Sequence, residues 1–437
     1  MTSLRPRAST VVVALFWAGL LLGPALWWAD TRAVSGTAEW LTGAGRITGL
    51  TGGYVLLVQV VLMSRVFDRW LDATMVSGWH RDLGGYLVAV LVAHVALITA
   101  GYAAADGTSL TAQTWTLLTR YEDMIAAYAG FAVLLAVALL AVRPVRRWLR
   151  YELFYYTHLA AYVSLLLVYG HQFSTGAQLA HSGPARYWWI GLYAFAIGCV
   201  AYGRLVRPLW LAARHRFRVA SVIPEAPGVV SVYVTGRGLG DLRATGGQFF
   251  RWRFLTRDGW WQAHPFSLSA APNGRWLRLT VKTVGDGSAA VAGLRPGVRV
   301  LVEGPSGGFT ARRRRGHNAL LIAGGIGVAP VRALLEDLPP GGSVLYRASR
   351  PEDLVFRSEL DELAAARGHR VRYLVGSRRD PRLRHALSAD GLRGLVPDVA
   401  RRDVYVCGPP SLVAGVLDAL TDLRVPRRHI HLDPFEL

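Results

Sequence analysis

Ile197-Gly198-Cys199-Val200-Ala201-Tyr202-Gly203-Arg204-Leu205-Val206-Arg207-Pro208-Leu209-Trp210 is where the chain changes character. Ahead of Trp210 lie long apolar runs; beyond it the runs shorten and alternate with turn residues. Six apolar spans fall at about 9–29, 48–64, 81–102, 125–142, 153–171 and 187–206. Each holds 17 to 22 residues, enough to cross about 30 Å of hydrocarbon at about 1.5 Å per residue. Composition agrees. Hydrophobic residues make up 52% and charged residues 18%, against about 25% charged in ordinary soluble domains. That excludes a disordered chain and a wholly soluble one. Arg5 and Arg7 precede the first span as in a signal peptide, but Leu26-Trp27-Trp28-Ala29 lacks the small residues of a cleavage site. A retained helix is therefore expected.

The formal net charge is +20. In a soluble protein this would point to nucleic acid. In a membrane protein it belongs to loops facing anionic lipid, so the bilayer is the expected partner and nucleic acid is not. Arginine clusters at Arg5 and Arg7, at Arg65, Arg69 and Arg81, at Arg143, Arg146, Arg147 and Arg150, and at Arg207, Arg214, Arg216 and Arg218. The other connections hold only Arg32, Arg46, Arg120 and Arg186. The rich side is cytoplasmic, which makes a multi-pass protein of the cell membrane with both termini inside. The two cysteines, Cys199 and Cys407, exclude a disulfide framework, a four-cysteine zinc site and a cysteine-ligated iron–sulfur cluster.

Beyond the spans, Phe217–Val222, Val229–Val234, Gln248–Phe254, Trp276–Val284 and Val298–Val302 alternate as strands between Gly/Pro turns. That predicts a small antiparallel β-barrel. From about residue 317 strands and helices alternate. Ala319–Ala323, Ser343–Ala348, Val371–Val375 and Val404–Cys407 read as strands, and Val331–Asp337, Leu354–Ala366 and Leu412–Leu420 as helices. That predicts a parallel α/β sheet. The expected fold is thus a six-helix transmembrane bundle (1–210), an antiparallel β-barrel (214–312) and an α/β nucleotide-binding domain (317–437). Arg312–Arg315 reads as a solvated linker.

Ionisable groups inside membrane spans are costly and usually functional. The third span carries His80 and His94, the fifth His158 and His171. Both spans run outward, so the histidines pair by depth. The separations correspond to about 21 and 19.5 Å along helices. Two histidines facing each other across a bundle supply both axial ligands of a haem iron; a proton relay or a metal transport site uses histidines too. By helical periodicity His80 and His94 fall within about 40° of each other, whereas His158 and His171 fall about 140° apart. The fifth span must then be irregular, or the haems differently rotated.

The strand Ala319–Ala323 leads into Gly324-Gly325-Ile326-Gly327-Val328-Ala329-Pro330 and a helix. Such a glycine turn lets backbone approach phosphates at a helix N-terminus. The next strand ends Tyr346-Arg347-Ala348-Ser349-Arg350, with no acid to bind a ribose 2′-hydroxyl. Arg347, Ser349 and Arg350 therefore favour NADPH over NADH. Gly376-Ser377-Arg378-Arg379 adds potential contacts.

Together these features resemble the ferric reductase and NADPH oxidase superfamily, and the resemblance covers nearly the whole chain. It implies two b-type haems (heme b) on His80 with His158 and on His94 with His171. His264-Pro265-Phe266-Ser267-Leu268-Ser269 resembles the flavin motif of ferredoxin-reductase-type domains, and Gly247-Gln248-Phe249 the segment leading into it. The resemblance implies FAD, with Ser267 near the flavin N5. Val281-Lys282-Thr283-Val284-Gly285-Asp286-Gly287-Ser288 is similar to the family's second flavin segment. There Lys282 would meet the pyrophosphate, with Gly287 and Ser288 donating at a turn. The resemblance also puts Cys407, in Val406-Cys407-Gly408-Pro409-Pro410, beside the nicotinamide, and Phe435 of the C-terminal tail over the flavin. It implies electron transfer from NADPH through FAD and two haems to an outside acceptor, a ferric complex or dioxygen giving superoxide. The chain departs from oxidase members at Ile98 and Ser164, where they have His and an aromatic; Arg46 is a candidate for their Arg near the outer haem. Two other readings stay open: an electron carrier that reduces a protein partner, and a transporter with a regulatory nucleotide-binding tail.

Overall fold

The computed structural model describes residues 4–30, 34–67, 73–149, 151–316, 318–377 and 379–434. It divides into two compact units, Met1–Gly203 and Arg204–Leu437. Phe435, Arg378 and the loop arginines Arg32, Arg69 and Arg150 lie outside the described residues.

In the first unit six helices are long and apolar enough to cross a membrane. They are Thr10–Ala29, Gly36–Leu62, Met75–Asp106, Met124–Ala141, Leu153–Ser174 and Pro184–His215, the last running on past the unit boundary. They fall on the six apolar runs of the sequence. One helix was not expected: Leu110–Arg120, between the third and fourth spans. Ser109 starts it, its side chain accepting from the Ala112 N–H at 3.2 Å. The second and third spans approach closely. A Cβ on Gly49 would sit 2.7 Å from the His94 ring, so only glycine admits that ring there.

The fifth span is irregular. One helix covers Tyr151–Leu167 and another Tyr169–Ser174, separated by a turn at Val168. Ser164, fully buried, donates to Gly130 O of the fourth span at 2.7 Å just before the turn. His158 lies against His80 of the third span, and His171 lines a cavity with His94.

The second unit opens with six barrel strands: β1 (Arg218–Ala226), β2 (Val229–Thr235), β3 (Phe249–Phe254), β4 (His264–Ser267), β5 (Trp276–Lys282) and β6 (Val300–Ser306). They form two three-stranded sheets, β1-β2-β5 and β4-β3-β6. Bridges Arg218↔Arg299 and Leu268↔Leu279 close them into a barrel. The alternation of β3 decides what is inside. Phe250, Trp252 and Phe254 are buried, while Phe249, Arg251 and Arg253 are only half-buried. A short helix, Asp286–Ala292, replaces the turn expected at Gly287 and Ser288.

Five parallel strands follow in the order β11-β10-β7-β8-β9. They are β7 (Ala319–Gly324), β8 (Ser343–Ala348), β9 (Arg370–Val375), β10 (Asp403–Gly408) and β11 (Ile430–Pro434). Every residue of β7 is buried. Leu321 and Ala323 join the core on one face and Leu320 and Ile322 the core on the other, as a sheet covered on both sides requires. The helices are Val328–Asp337, Arg357–Arg367, Pro381–Ala386, Ala389–Leu395 and Pro410–Asp422. The second begins three residues later than the apolar pattern suggests, because Phe356 takes φ +63° and breaks the run.

Candidate functional site

The membrane unit brings the four histidines together in two pairs. The rings of His80 and His158 lie 5.9 Å apart, nearly edge to face. His94 and His171 line one cavity with Arg46, Gly49, Tyr102, Phe131 and Trp189. It leaves about 1320 Å³ free of protein atoms, part of it open to the surroundings. His94 Nδ1 lies 2.7 Å from Gly45 O, an arrangement that puts the proton on Nδ1 and leaves the Nε2 lone pair free. Among the described residues the buried Nδ1 atom of His158 has no hydrogen-bond partner. Buried polar atoms are seldom left so without a purpose. The donor set, two imidazoles per pair with a cavity at one pair, fits an axially ligated haem iron. Among the described residues no cluster of three or more His, Cys, Asp or Glu is placed to hold a bare metal ion.

In the second unit the two flavin-type segments meet. His264 stacks on Phe266 at 5.9 Å and 21°. A Cβ on Gly287 would stand 2.8 Å from the His264 ring, so this glycine lets the helix Asp286–Ala292 reach β4. Pro265 pairs with Arg251 across the sheet. Lys282, the chain's only lysine, is exposed at the end of β5. Ser288 differs from expectation. Its hydroxyl donates to Gly285 O at 2.8 Å and accepts from the N–H groups of Val284 and Gly285, capping the helix.

Ser267 also differs. Its hydroxyl donates to Asp433 Oδ2 at 2.9 Å. The Cys407 thiol donates to Asp433 O at 3.2 Å. Burial, then Asp433, pushes that thiol well above the ordinary cysteine range, so it stays protonated and is no nucleophile. Sequence reasoning missed Asp433. The strand β11 that presents it is five residues long and carries His, Asp and Pro, so it has little strand signal of its own.

At the glycine turn Gly325 has φ +55° and open space where a Cβ would stand. A Cβ on Gly327 would lie 2.2 Å from Cys407 O, so the turn and β10 meet only with glycine there. Gly324 packs on Pro409 and Gly408. The open space over this turn and the close approach of His264 to Gly287 suit a dinucleotide and a flavin.

Arg347 departs from expectation. Its guanidinium donates to Ala348 O, to Leu374 O at 3.1 Å and to Gly376 O at 2.7 Å, tying the ends of β8 and β9. Three of the five guanidinium N–H groups are thereby spent on backbone carbonyls. Arg350 is exposed, with Glu352 at 3.3 Å and Asp353 at 3.5 Å; Ser349 is exposed beside it.

Comparison with known proteins assigns both halves. The family described as "Ferric reductase like transmembrane component" matches residues 48–169. That described as "Oxidoreductase NAD-binding domain" matches residues 321–418. An "NADPH oxidoreductase" of Mycobacterium tuberculosis is 28% identical over 247 residues, 54% of this chain and 63% of that protein. "Ferredoxin--NADP reductase B" of Sorangium cellulosum is 31% identical over 195 residues, 39% of this chain and 77% of that protein. The ferredoxin reductase component of a 3-ketosteroid-9-alpha-monooxygenase from M. tuberculosis is 30% identical over 203 residues, 45% of this chain and 56% of that protein. The chain thus spans less than two thirds of the first and third of these. Among solved structures, the FAD/NAD binding domain of a Vibrio cholerae nitric oxide dioxygenase aligns over 50% of this chain and 97% of its own, with 24% identity and TM-score 0.42. A ferredoxin NADP+ reductase from Neisseria gonorrhoeae aligns over 51% of this chain and 98% of its own, with 19% identity and TM-score 0.43.

Proposed function

Because the chain belongs to the ferric reductase and NADPH oxidase superfamily, a multi-pass membrane domain fused to an FAD- and NAD(P)-dependent reductase module, we propose that it carries electrons from cytosolic NADPH through FAD and two b-type haems to an acceptor outside the cell, a ferric complex or dioxygen. The observation that carries this reading is the double pairing of histidines between the third and fifth spans. When bound, FAD accepts a hydride and releases electrons singly, and haem irons relay single electrons.

The residues divide the work. His80 and His158 hold the inner haem, His94 and His171 the outer one. His264, Pro265 and Phe266 line the flavin edge; Lys282, Gly287 and Ser288 face its diphosphate as a point charge and backbone donors. Gly324, Gly325 and Gly327 admit the dinucleotide phosphates, and Arg350 with Ser349 takes the 2′-phosphate in place of the occupied Arg347. Cys407, Gly408 and Pro409 border the nicotinamide. Asp433 pins Ser267 and the Cys407 thiol to one strand, which keeps the two faces of the hydride path in register. No acid–base pair is needed, because both half-reactions belong to the cofactors.

The test is the absorbance spectrum of the detergent-purified chain before and after anaerobic NADPH, with haem and flavin quantified. Two haems and one FAD per chain, with reduced haem bands appearing, are expected. A spectrum without haem sinks the reading. Admitting oxygen or a ferric chelate afterwards sorts the acceptor. The second reading, an electron carrier serving a protein partner, draws on the relative whose name makes it the ferredoxin reductase component of a monooxygenase. It gains if the reduced protein is inert toward both small acceptors.

A further inference from the structure

Beside the flavin strand a buried ion network crosses from the barrel to the nucleotide domain. Arg278, on β5, is 3% exposed. Its Nη1 and Nη2 donate to the two carboxylate oxygens of Glu359, both at 2.9 Å. Its Nε donates to Ser269 Oγ at 3.1 Å and its Nη2 to Ser269 O at 2.8 Å. Ser269 lies two residues past Ser267 on the flavin strand. Glu359 belongs to the helix Arg357–Arg367, and its other neighbour is Arg332 Nε at 2.7 Å. Arg332 sits on the helix that begins directly after the glycine turn, and Glu336 pairs with it. Phe356, held at φ +63°, lies under the Arg278 guanidinium at 4.4 Å. Two cations and two anions thus balance in one cluster, its arginines largely buried and its carboxylates partly exposed.

Stability alone does not account for such a cluster. An apolar pair of similar volume usually does as well, because desolvation offsets the Coulomb gain. The best-attested use of buried ion pairs is to set register, and here the register lies between two lobes. One end of the network grips the segment just past the flavin strand, the other the helix that follows the glycine turn. We propose that Glu359 is an interlobe positioning residue, setting the distance between nicotinamide and flavin through Arg278 and Arg332. This rests on the reading that the module takes FAD and NADPH. Burial alone would raise the Glu359 pKa. The hydrogen bonds from Arg278 and the charges of both arginines outweigh it and hold the carboxylate below its ordinary range, ionised at neutral pH.

The experiment uses the full chain in detergent with Glu359→Gln, Glu359→Asp and the apolar pair Arg278→Met with Glu359→Leu. Four quantities are read: FAD per chain, NADP+ affinity, the single-turnover rate of flavin bleaching by NADPH, and amide hydrogen exchange. Glu359→Gln is expected to keep FAD and to bind NADP+ within about twofold. Its flavin reduction should slow roughly 10- to 100-fold, the scale of a misplacement near 1 Å. Exchange should rise in Trp276–Lys282 and Arg357–Arg367 while His264–Ser267 stays protected. Glu359→Asp should recover part of the rate. The apolar pair should fold as well as the parent yet stay slow. An unchanged rate in Glu359→Gln, or a parent-like rate in the apolar pair, overturns the proposal and leaves a structural bridge. A parent chain without FAD overturns the functional reading itself, and flavin content reveals that before any kinetics.

Discussion

Asp403 and Asp433 show how much single residues of the last two strands carry. Asp403 is fully buried. It accepts from the Arg315 and Gly316 N–H groups through one oxygen, and its other oxygen lies 3.0 Å from His431 Nε2 and 3.5 Å from His429 Nδ1. His431 stacks on Tyr405 at 4.4 Å, two residues before Asp433. Burial lowers the His431 pKa, only partly opposed by Asp403, and Arg313 and His429 push the same way as burial. His369 is lowered by burial and by Arg367. Both therefore fold as neutral rings. The unfolded chain takes up their protons first as pH falls below about 6.5. Their contribution is fully present above that value and is lost as pH drops toward the folded values. The second unit should thus lose stability as pH falls below about 6.5. Thermal unfolding at stepped pH checks this, and His369→Gln should flatten the slope. An unaltered slope in that variant would remove His369 from the account.

Helices and strands add what their ends and breaks permit. The turn at Val168 breaks the fifth span between His158 and His171. Close packing of the second span on the third works through Gly49, which leaves room for the His94 ring. Gly49→Ala should push that ring away from Gly45 O and its partner across the cavity. The expected outcome is a purified protein with about one haem per chain instead of two, by pyridine haemochrome assay, with the six spans still folded. Two haems retained would show that the bundle yields elsewhere.

At the scale of the whole molecule the proposed path has an order, and the order can be broken at either end. His94→Ala should leave the inner haem reducible by NADPH but stop reduction of the outside acceptor. His80→Ala should leave flavin reduction intact and block it beyond, so the remaining haem responds to dithionite but not to NADPH. Equal loss of haem in both variants would mean that the pairs do not act as separate sites. Spectra recorded with each reductant decide between these outcomes.

Much of this was legible along the chain because it is local. Spans of 17 to 22 apolar residues, the period-two run of β3 and the strand–glycine–helix succession at Ala319–Val331 each state their own structure. The pairing of His80 with His158 was legible too, since depth along two helices follows from counting residues. Other features depend on partners far away in sequence. Nothing near Arg347 says that its guanidinium closes the carbonyls of Leu374 and Gly376. Nothing near Ile430–Pro434 says that Cys407 will lie opposite Asp433. The grip of Arg278 on Glu359 joins residues 81 apart. Periodicity and composition, which act over one turn or one strand, were determined by the sequence by itself. The choice of hydrogen-bond and ion-pair partners was decided only by the tertiary structure, because a buried donor takes whichever acceptor the packing brings within 3 Å or so.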